Sequence, residues 1–377
     1  MQDWRPYAVA LAERVTHTSS RWRAPVASTP RHLFVPRWWE RDGTGWTLHD
    51  GPSDESRWLA SAYGDTSLVT RVGPRHADHA AGGNSRPTGR PTSSSTLPSL
   101  VINMFRHAKL GDSDTLLDIG TGSGYGAALA ARRLGDGHVT SVDVDPYLVE
   151  AARERLDQVG LSPAVETVDA TADLPGTYDR IVATVAVRPI PAGWLAALKP
   201  GGRLVTTIAG TSLLVTAEKD EDGGATGRVE WDRAGFMRTR HGDDYPLGVD
   251  QLLAVARHLD GEQVTVGQYP VVNVGEAWDL SSMLDITTPG LTHQYEQHAE
   301  QRTAVMAHPD GSWARATAQA DEPPTIHQTG PRRLWDTLDE IRTYWLTNGE
   351  LPVRGARVFI KPDGTTYLAR GGWRARL

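Results

Sequence analysis

The residues most able to do chemistry lie in one stretch, Leu116-Leu117-Asp118-Ile119-Gly120-Thr121-Gly122-Ser123-Gly124-Tyr125. A short apolar run carries into alternating glycines and hydroxyls, and an alanine-rich helical pattern follows from Gly126 to Leu134. Strand, tight turn and helix in that order open a nucleotide-binding βαβ unit. Glycine lets the backbone pass close to a ligand where a side chain would collide. Some twenty residues on, Val139-Thr140-Ser141-Val142-Asp143 reads as a second strand, ending in a carboxylate placed to hold two ribose hydroxyls. Glycines also serve tight packing, but here the strand, turn, helix and terminal acid occur together. A dinucleotide fingerprint counted from Gly120 would need glycine where Tyr125 stands. Counted from Gly122 it fits through Gly124 and Ala127 but pushes the turn into the helix, and no hydride-transfer constellation follows.

The Gly-Thr-Gly-Ser-Gly form resembles the turn of class I methyltransferases that use S-adenosylmethionine. The elements around it suit that fold. A helix from Asp145 or Pro146 to Val159 leads to a third strand, Ala164 to Val168, with Asp169-Ala170 at its end. Tyr178 to Ala186 is a buried fourth strand; a helix through Leu198 and the turn Lys199-Pro200-Gly201-Gly202 lead to a fifth. Alternating helices and strands predict a parallel, doubly wound sheet, with the ligand at the carboxyl ends of its first strands.

Upstream, Tyr7 to Thr16 has helical spacing, and Gly73 to Ser95, rich in Gly, Pro, Ser and His, has the composition of a mobile loop. His76 and His79 lie in it without a third metal ligand nearby. The loop runs into Ser93-Ser94-Ser95-Thr96-Leu97-Pro98 and a helix from Ser99 to Ala108. Hydroxyls at a helix mouth usually cap it; they can also grip an anion beside the free N–H groups. Downstream, Leu213 to Ala217 and Arg228 to Trp231 read as a hairpin, and from about His241 the α/β alternation stops. Val249 to His258 looks helical, Val264 to Val272 strand-like, Gly330 to Trp345 an amphipathic helix, and Ala356 to Leu368 a hairpin.

The 377 residues suggest two domains, and 39% hydrophobic with 23% charged residues suits a globular chain with a core. A net charge of −7 argues against nucleic acid as a general partner. The absence of cysteine removes disulfides and thiolate metal sites, as expected of a cytoplasmic enzyme. No apolar run approaches a membrane span, and the first residues lack a secretory pattern. Thirteen Trp against four Phe would suit a peptide groove, but most are expected in the core.

Pro30-Arg31-His32-Leu33-Phe34-Val35-Pro36, Ala62-Tyr63-Gly64-Asp65, Ser94-Ser95-Thr96-Leu97-Pro98, the Gly120 turn, and Tyr178 to Pro191 with Leu198 to Val205 together resemble protein-L-isoaspartate O-methyltransferase, over roughly Trp4 to Gly210. The fold this implies is a class I S-adenosylmethionine-dependent methyltransferase, a Rossmann-like α/β sheet in residues 1–240, followed by an α+β accessory domain in 241–377. Two features depart from the family pattern: Thr96 stands where a serine is usual, and a long tail replaces a short C-terminal end. Both are similar to the homologues found with ribosomally made lanthipeptides, graspetides and lasso peptides. That resemblance implies methylation of an ordinary aspartate in a precursor peptide. The neighbouring amide then displaces methanol to give an aspartimide, which can open to isoaspartate. The alternative is a repair enzyme acting on isoaspartate in damaged proteins.

Residue by residue, the resemblance implies cofactor contacts at Gly120, Thr121, Gly122, Ser123 and Gly124. Asp143 is expected on the ribose, Asp169 with Ala170 on the adenine, and Asp118 ordering the turn and the methionine end. S-adenosylhomocysteine would be the product. Ser94, Ser95, Thr96 and Leu97 are the substrate-binding candidates, with Ser95 and Thr96 orienting the acceptor. A carboxylate is already ionised near neutral pH, so no general base and no metal are expected, and placement carries the catalysis. In the tail, Arg332, Arg333, Arg342, Arg354 and Arg357 form a local basic excess: a solvated face, or the part that binds the precursor peptide. A monomer is expected, with no nucleic-acid or membrane partner.

Overall fold

A computed structural model describes residues 2–43, 45–80, 87–239 and 249–377. Its central sheet has ten strands, in the order Trp373–Arg376, Thr366–Arg370, Arg357–Ile360, Ala225–Arg233, Leu213–Lys219, Leu198–Ile208, Tyr178–Val187, Leu116–Ile119, Val139–Asp143 and Ala164–Thr167. The last five in that order are parallel, and the first five are joined antiparallel. Parallel strands are covered on both faces, and the central ones here are largely buried, Leu116–Ile119 throughout and Tyr178–Val187 and Leu198–Ile208 over most of their length, whereas the edge strand Ala164–Thr167 is partly exposed. Alternation sends Leu117, Ile119, Ile181, Ala183 and Leu204 to one core and Leu116, Val182 and Val205 to another. The first core is completed by Trp194, Leu280 and Trp335 from the helices Ala192–Ala197, Trp278–Thr287 and Leu334–Asn348. The second takes Ile102, Phe105 and Leu129 from Pro98–Ala108 and Tyr125–Leu134.

Two smaller sheets flank this platform. Near the N-terminus, Leu68–Val72 is the hub for Arg37–Asp42, Arg75–His76 and Pro91–Ser95. The stretch Gly73–Ser95, read from composition as a loop, is therefore partly strand; residues 81–86 lie outside the described residues. Ser93, Ser94 and Ser95 are strand residues and do not cap the next helix. Leu97 occupies the N-cap position without a side-chain bond, and the Ser99 amide donates instead to Asp65, 2.9 Å away.

In the tail, five antiparallel strands run in the order Gln263–Val266, Thr325–Thr329, Trp313–Gln319, Gln301–Ala307, Thr292–His298. The expected strand Val264–Val272 stops at Val266, just before Gly267 and Pro270, residues that weaken or interrupt a ladder. The boundary expected at 240/241 lies outside the described residues. Past it, the chain does not stay apart from the first sheet: Arg357–Ile360 pairs with Ala225–Arg233, so the final strands extend the central sheet.

Trp335 is fully buried where helix Leu334–Asn348 meets the sheet. Trp335→Ala should cost about 3–5 kcal/mol of unfolding free energy in a denaturant titration, as large-to-small changes in a packed core do. A loss below about 1 kcal/mol would mean that the tail is not packed as described.

Candidate functional site

A cavity of about 890 Å³ opens where the parallel strands end. Its lining includes Asp118, Gly120, Thr121, Gly122, Ser123, Asp143, Asp169 and Ala170 from the sheet. Ser94, Ser95, Thr96 and Leu97 line it from across the gap. Every residue expected to hold the cofactor or the acceptor is thus at this cavity except Gly124. That glycine has φ +88° at the N-cap of Tyr125–Leu134, and a side chain there would press on Ala152 at 3.0 Å. It turns the chain into the helix and does not line the cavity.

Strand register builds the turn. The amides of Gly120 and Thr121 both donate to the Val142 carbonyl, and the Gly122 amide donates to Asp143 Oδ2 at 2.9 Å. Asp143 Oδ1 also accepts from the Asp145 amide. This acid therefore fastens the glycine turn to the next strand while it borders the cavity. Gly120 sits at φ +98°, and an added Cβ would meet Val185 at 2.9 Å. Gly122, at φ +52°, would meet the Ser94 carbonyl at 3.3 Å. Both positions demand glycine, and the second sets how closely the serine strand approaches the turn.

Asp118 is 2% exposed. Thr121 Oγ1 lies 2.7 Å from Ser141 Oγ, which donates to Asp118 Oδ2 at 2.8 Å. Burial pushes the Asp118 pKa up to about 7; the Ser141 bond opposes this, and the nearby Asp143 charge adds to it. A buried acid lining a cavity, with no cationic partner among the described residues, suits a ligand that brings positive charge. Asp169 accepts from both the amide and the hydroxyl of Thr171, and the Ala170 carbonyl accepts from Trp194 Nε1 at 2.6 Å. These bonds hold the turn after the third strand in shape where Asp169 and Ala170 line the cavity.

The opposite wall has a different logic. Ser95 is 2% exposed, and among the described residues its Oγ has no hydrogen-bond partner. Thr96 beside it is half-buried. Sequence reasoning missed what holds this corner, the fully buried Arg31. Its Nη1 donates to the carbonyls of Ala62 and Gly64 at 2.8 and 3.0 Å. Its Nη2 reaches those of Thr66, Ser95 and Thr96 at 3.0, 3.2 and 3.2 Å. Burial lowers its pKa to about 10, still far above neutral, so it remains a cation. The Pro30–Pro36 block was visible in the sequence, but nothing local said that Arg31 points inward.

The tail closes one side of the cavity through Asp285, Leu291, Thr292 and Pro309. Arg188 donates to Asp285 Oδ1 at 2.6 Å, and Gly210 approaches so closely that a Cβ would lie 2.4 Å from the Asp285 carboxylate. The basic residues noted in the tail do not form one patch. Arg332 pairs with Asp310, Arg342 with Asp339 and Arg354 with Asp279, while Arg333 lies 3.9 Å from Glu262. Arg357 instead lies over the Phe359 ring. Among the described residues no three His, Asp or Glu are grouped to hold a metal. His76 is 3.1 Å from Asp145, and His79 packs on Tyr147.

A family model, Protein-L-isoaspartate(D-aspartate) O-methyltransferase (PCMT), matches residues 84–232. Protein-L-isoaspartate O-methyltransferase 2 of Syntrophobacter fumaroxidans is 34% identical over 191 residues, 45% of this chain and 75% of that protein. Protein-L-isoaspartate O-methyltransferase of Ignicoccus hospitalis is 38% identical over 115 residues, 29% of this chain and 54% of that protein. A solved protein-L-isoaspartate O-methyltransferase structure matches with a TM-score of 0.52 at 18% identity, across 97% of this chain and 99% of that one. This last likeness is one of fold, and it takes in the tail. The tail alone therefore does not set this chain apart from proteins of that description.

The Asp118 carboxyl gives a pH test. Its pKa in the fold lies above the ordinary 3.8, so ionising it is penalised in the folded state only. Stability from this group is intact below pH 4 and lost as pH rises to about 7. Asp118→Asn keeps an acceptor for Ser141 but cannot ionise. The variant should gain on the wild type by on the order of 2 kcal/mol between pH 5 and 8 in cofactor-free denaturant titrations. A flat difference would contradict the raised pKa.

Proposed function

We infer that this chain, which belongs to the protein-L-isoaspartate O-methyltransferase family and is a carboxyl O-methyltransferase dependent on S-adenosylmethionine, acts on the carboxylate of an aspartyl residue within a peptide. The observation that carries the reading is Ser95 in the wall of the cavity that the glycine turn borders, its buried Oγ without a hydrogen-bond partner among the described residues. A hydroxyl without a protein partner costs about 1–3 kcal/mol unless something else accepts its hydrogen bond. The acceptor carboxylate is that group in our reading, with Thr96 beside it narrowing its approach.

When bound, S-adenosylmethionine supplies a methyl carbon made electrophilic by its sulfonium. The protein contributes position. Glycines 120 and 122 admit the ligand backbone-close, Asp143 is offered to the ribose, and Asp169 with the Ala170 amide to the adenine. Asp118, able to ionise near neutral pH, is offered to the charged methionine end. Ser95 and Thr96 aim the carboxylate, and apolar neighbours such as Leu97, Val101 and Leu100 keep water scarce around it. The carboxylate arrives ionised, so no residue here needs to take up its proton.

We further propose that the acceptor is an ordinary aspartate in a ribosomally made peptide, leading to aspartimide. Thr96 supports this, since its extra methyl narrows the pocket and restricts the rotamer relative to serine. The second reading, repair of isoaspartate, is favoured by the descriptions of the two relatives named above, both protein-L-isoaspartate O-methyltransferases. Thr96→Ser separates them. Rates on matched aspartyl and isoaspartyl peptides should shift several-fold toward isoaspartate, and an unchanged ratio would remove Thr96 from the specificity argument. Mass spectrometry of the aspartyl peptide with S-adenosylmethionine should show a gain of methyl and then a net loss of water. Activity on isoaspartyl peptides alone would decide for repair.

Asp143→Ala should weaken cofactor binding by at least about 1–3 kcal/mol, through the lost ribose contact and the loosened turn. Wild-type affinity in that variant, read by calorimetry, would contradict the assignment.

A further inference from the structure

The end of the chain is charged unlike the rest. Leu351–Leu377 carries six Lys or Arg and one acid, in a protein whose net charge is −7. Two of the six are engaged, Arg354 by Asp279 and Arg370 by Glu350. Among the described residues Arg357, Lys361, Arg374 and Arg376 make no salt bridge.

The strands gather these four cations on one side. Val358, Ile360 and Leu368 face inward and are buried. Register puts Phe359, Tyr367 and Arg376 in one row across the outer face, and Arg357, Ala369 and Arg374 in the next. Arg357 lies over the Phe359 ring at 5.0 Å, and Lys361 Nζ over Tyr367 at 5.4 Å. The outermost strand, Trp373–Arg376, pairs on one side only among the described strands. A basic and aromatic face therefore adjoins a sheet edge whose backbone groups can accept another strand.

We propose that this edge docks an extended acidic segment of the substrate peptide, outside the residues around the acceptor carboxylate. The peptide adds as a strand beside Trp373–Arg376, its acids meeting Arg374 and Arg376, with Arg357 and Lys361 adding positive charge further in on the same face. The proposal rests on the reading that the substrate is a peptide. Charge favours such a partner over nucleic acid: four cations complement a few carboxylates, whereas the acidic remainder of the chain repels a long polyanion. The edge lies six strand spacings from Tyr178–Val187, whose end borders the cavity. At ~4.8 Å per spacing that is roughly 29 Å, and about nine extended residues bridge it.

The test uses the full chain and a fluorescein-labelled ten-residue peptide of alternating Glu and Val. Anisotropy should show saturable binding that weakens at least 10-fold in R374E/R376E, with cofactor affinity and unfolding midpoint unchanged. R374Q/R376Q, which removes charge without adding repulsion, should lose less and guards against a folding defect in the first variant. Equal affinity in wild type and both variants, or no saturable binding, overturns the proposal. So does a ten-nucleotide single strand that displaces the peptide at lower concentration than the peptide displaces itself. In a transfer assay, an acidic extension on an acceptor peptide should lower KM several-fold in the wild type only, with kcat unchanged. Methyl transfer to short acceptor peptides without the extension judges the parent reading separately, since it can succeed or fail whatever happens at this edge.

Discussion

The buried Arg31 guanidinium is the interaction on which the Ser95–Thr96 wall of the cavity depends. Five carbonyls from two separate stretches, 62–66 and 95–96, converge on it, and the Tyr125 ring lies 5.5 Å away. Burying a charge costs several kcal/mol, and only dense hydrogen bonding offsets that cost. The arrangement persists because hydrogen bonds to a charged group are each worth about 1.5–3 kcal/mol. Its product is geometric. The carbonyls of Ser95 and Thr96 are tied to the guanidinium, which fixes this stretch in the cavity wall and leaves the Ser95 hydroxyl without a partner among the described residues.

On the other side, the glycine turn is held by backbone amides donating to Val142 and Asp143. The two walls meet where Gly122 passes the Ser94 carbonyl. In the function we propose, one wall takes the cofactor and the other the acceptor carboxylate, so the reaction needs little more than their separation. That is why no proton-transfer residue is required in this account, and why a buried acid such as Asp118 finds its use in electrostatics.

The parallel half of the fold was legible because its pattern is local. Leu116–Ile119 and residues 181–183 are buried and mostly apolar, so they announce themselves, while Val139–Asp143 (Val-Thr-Ser-Val-Asp) is marked by its distance from the glycine turn and its terminal acid. The cavity residues followed, since a ligand in such a sheet sits at the strand ends. Arg31 was not legible: its five partners lie up to Thr96 along the chain, and no spacing rule links them. Ser93–Ser95 misled for the opposite reason. Hydroxyls before a proline imitate a helix cap, and only pairing with Leu68–Val72 reveals a strand. In the tail, Thr292–His298 reads Thr-His-Gln-Tyr-Glu-Gln-His, polar on both faces, so it lacks the alternation that marks a half-buried strand.

The sheet's last joint has a consequence for how the protein is made. Ala225–Arg233 emerges from the ribosome long before Arg357–Ile360, its neighbour. At ~5–20 residues per second the wait is on the order of ten seconds. Throughout it, the nascent methyltransferase half presents a bare, nearly native ladder to any other chain in the same condition. Holdase protection, or slow translation placed after the partner strand and not before it, would suit such a chain better than rapid early folding.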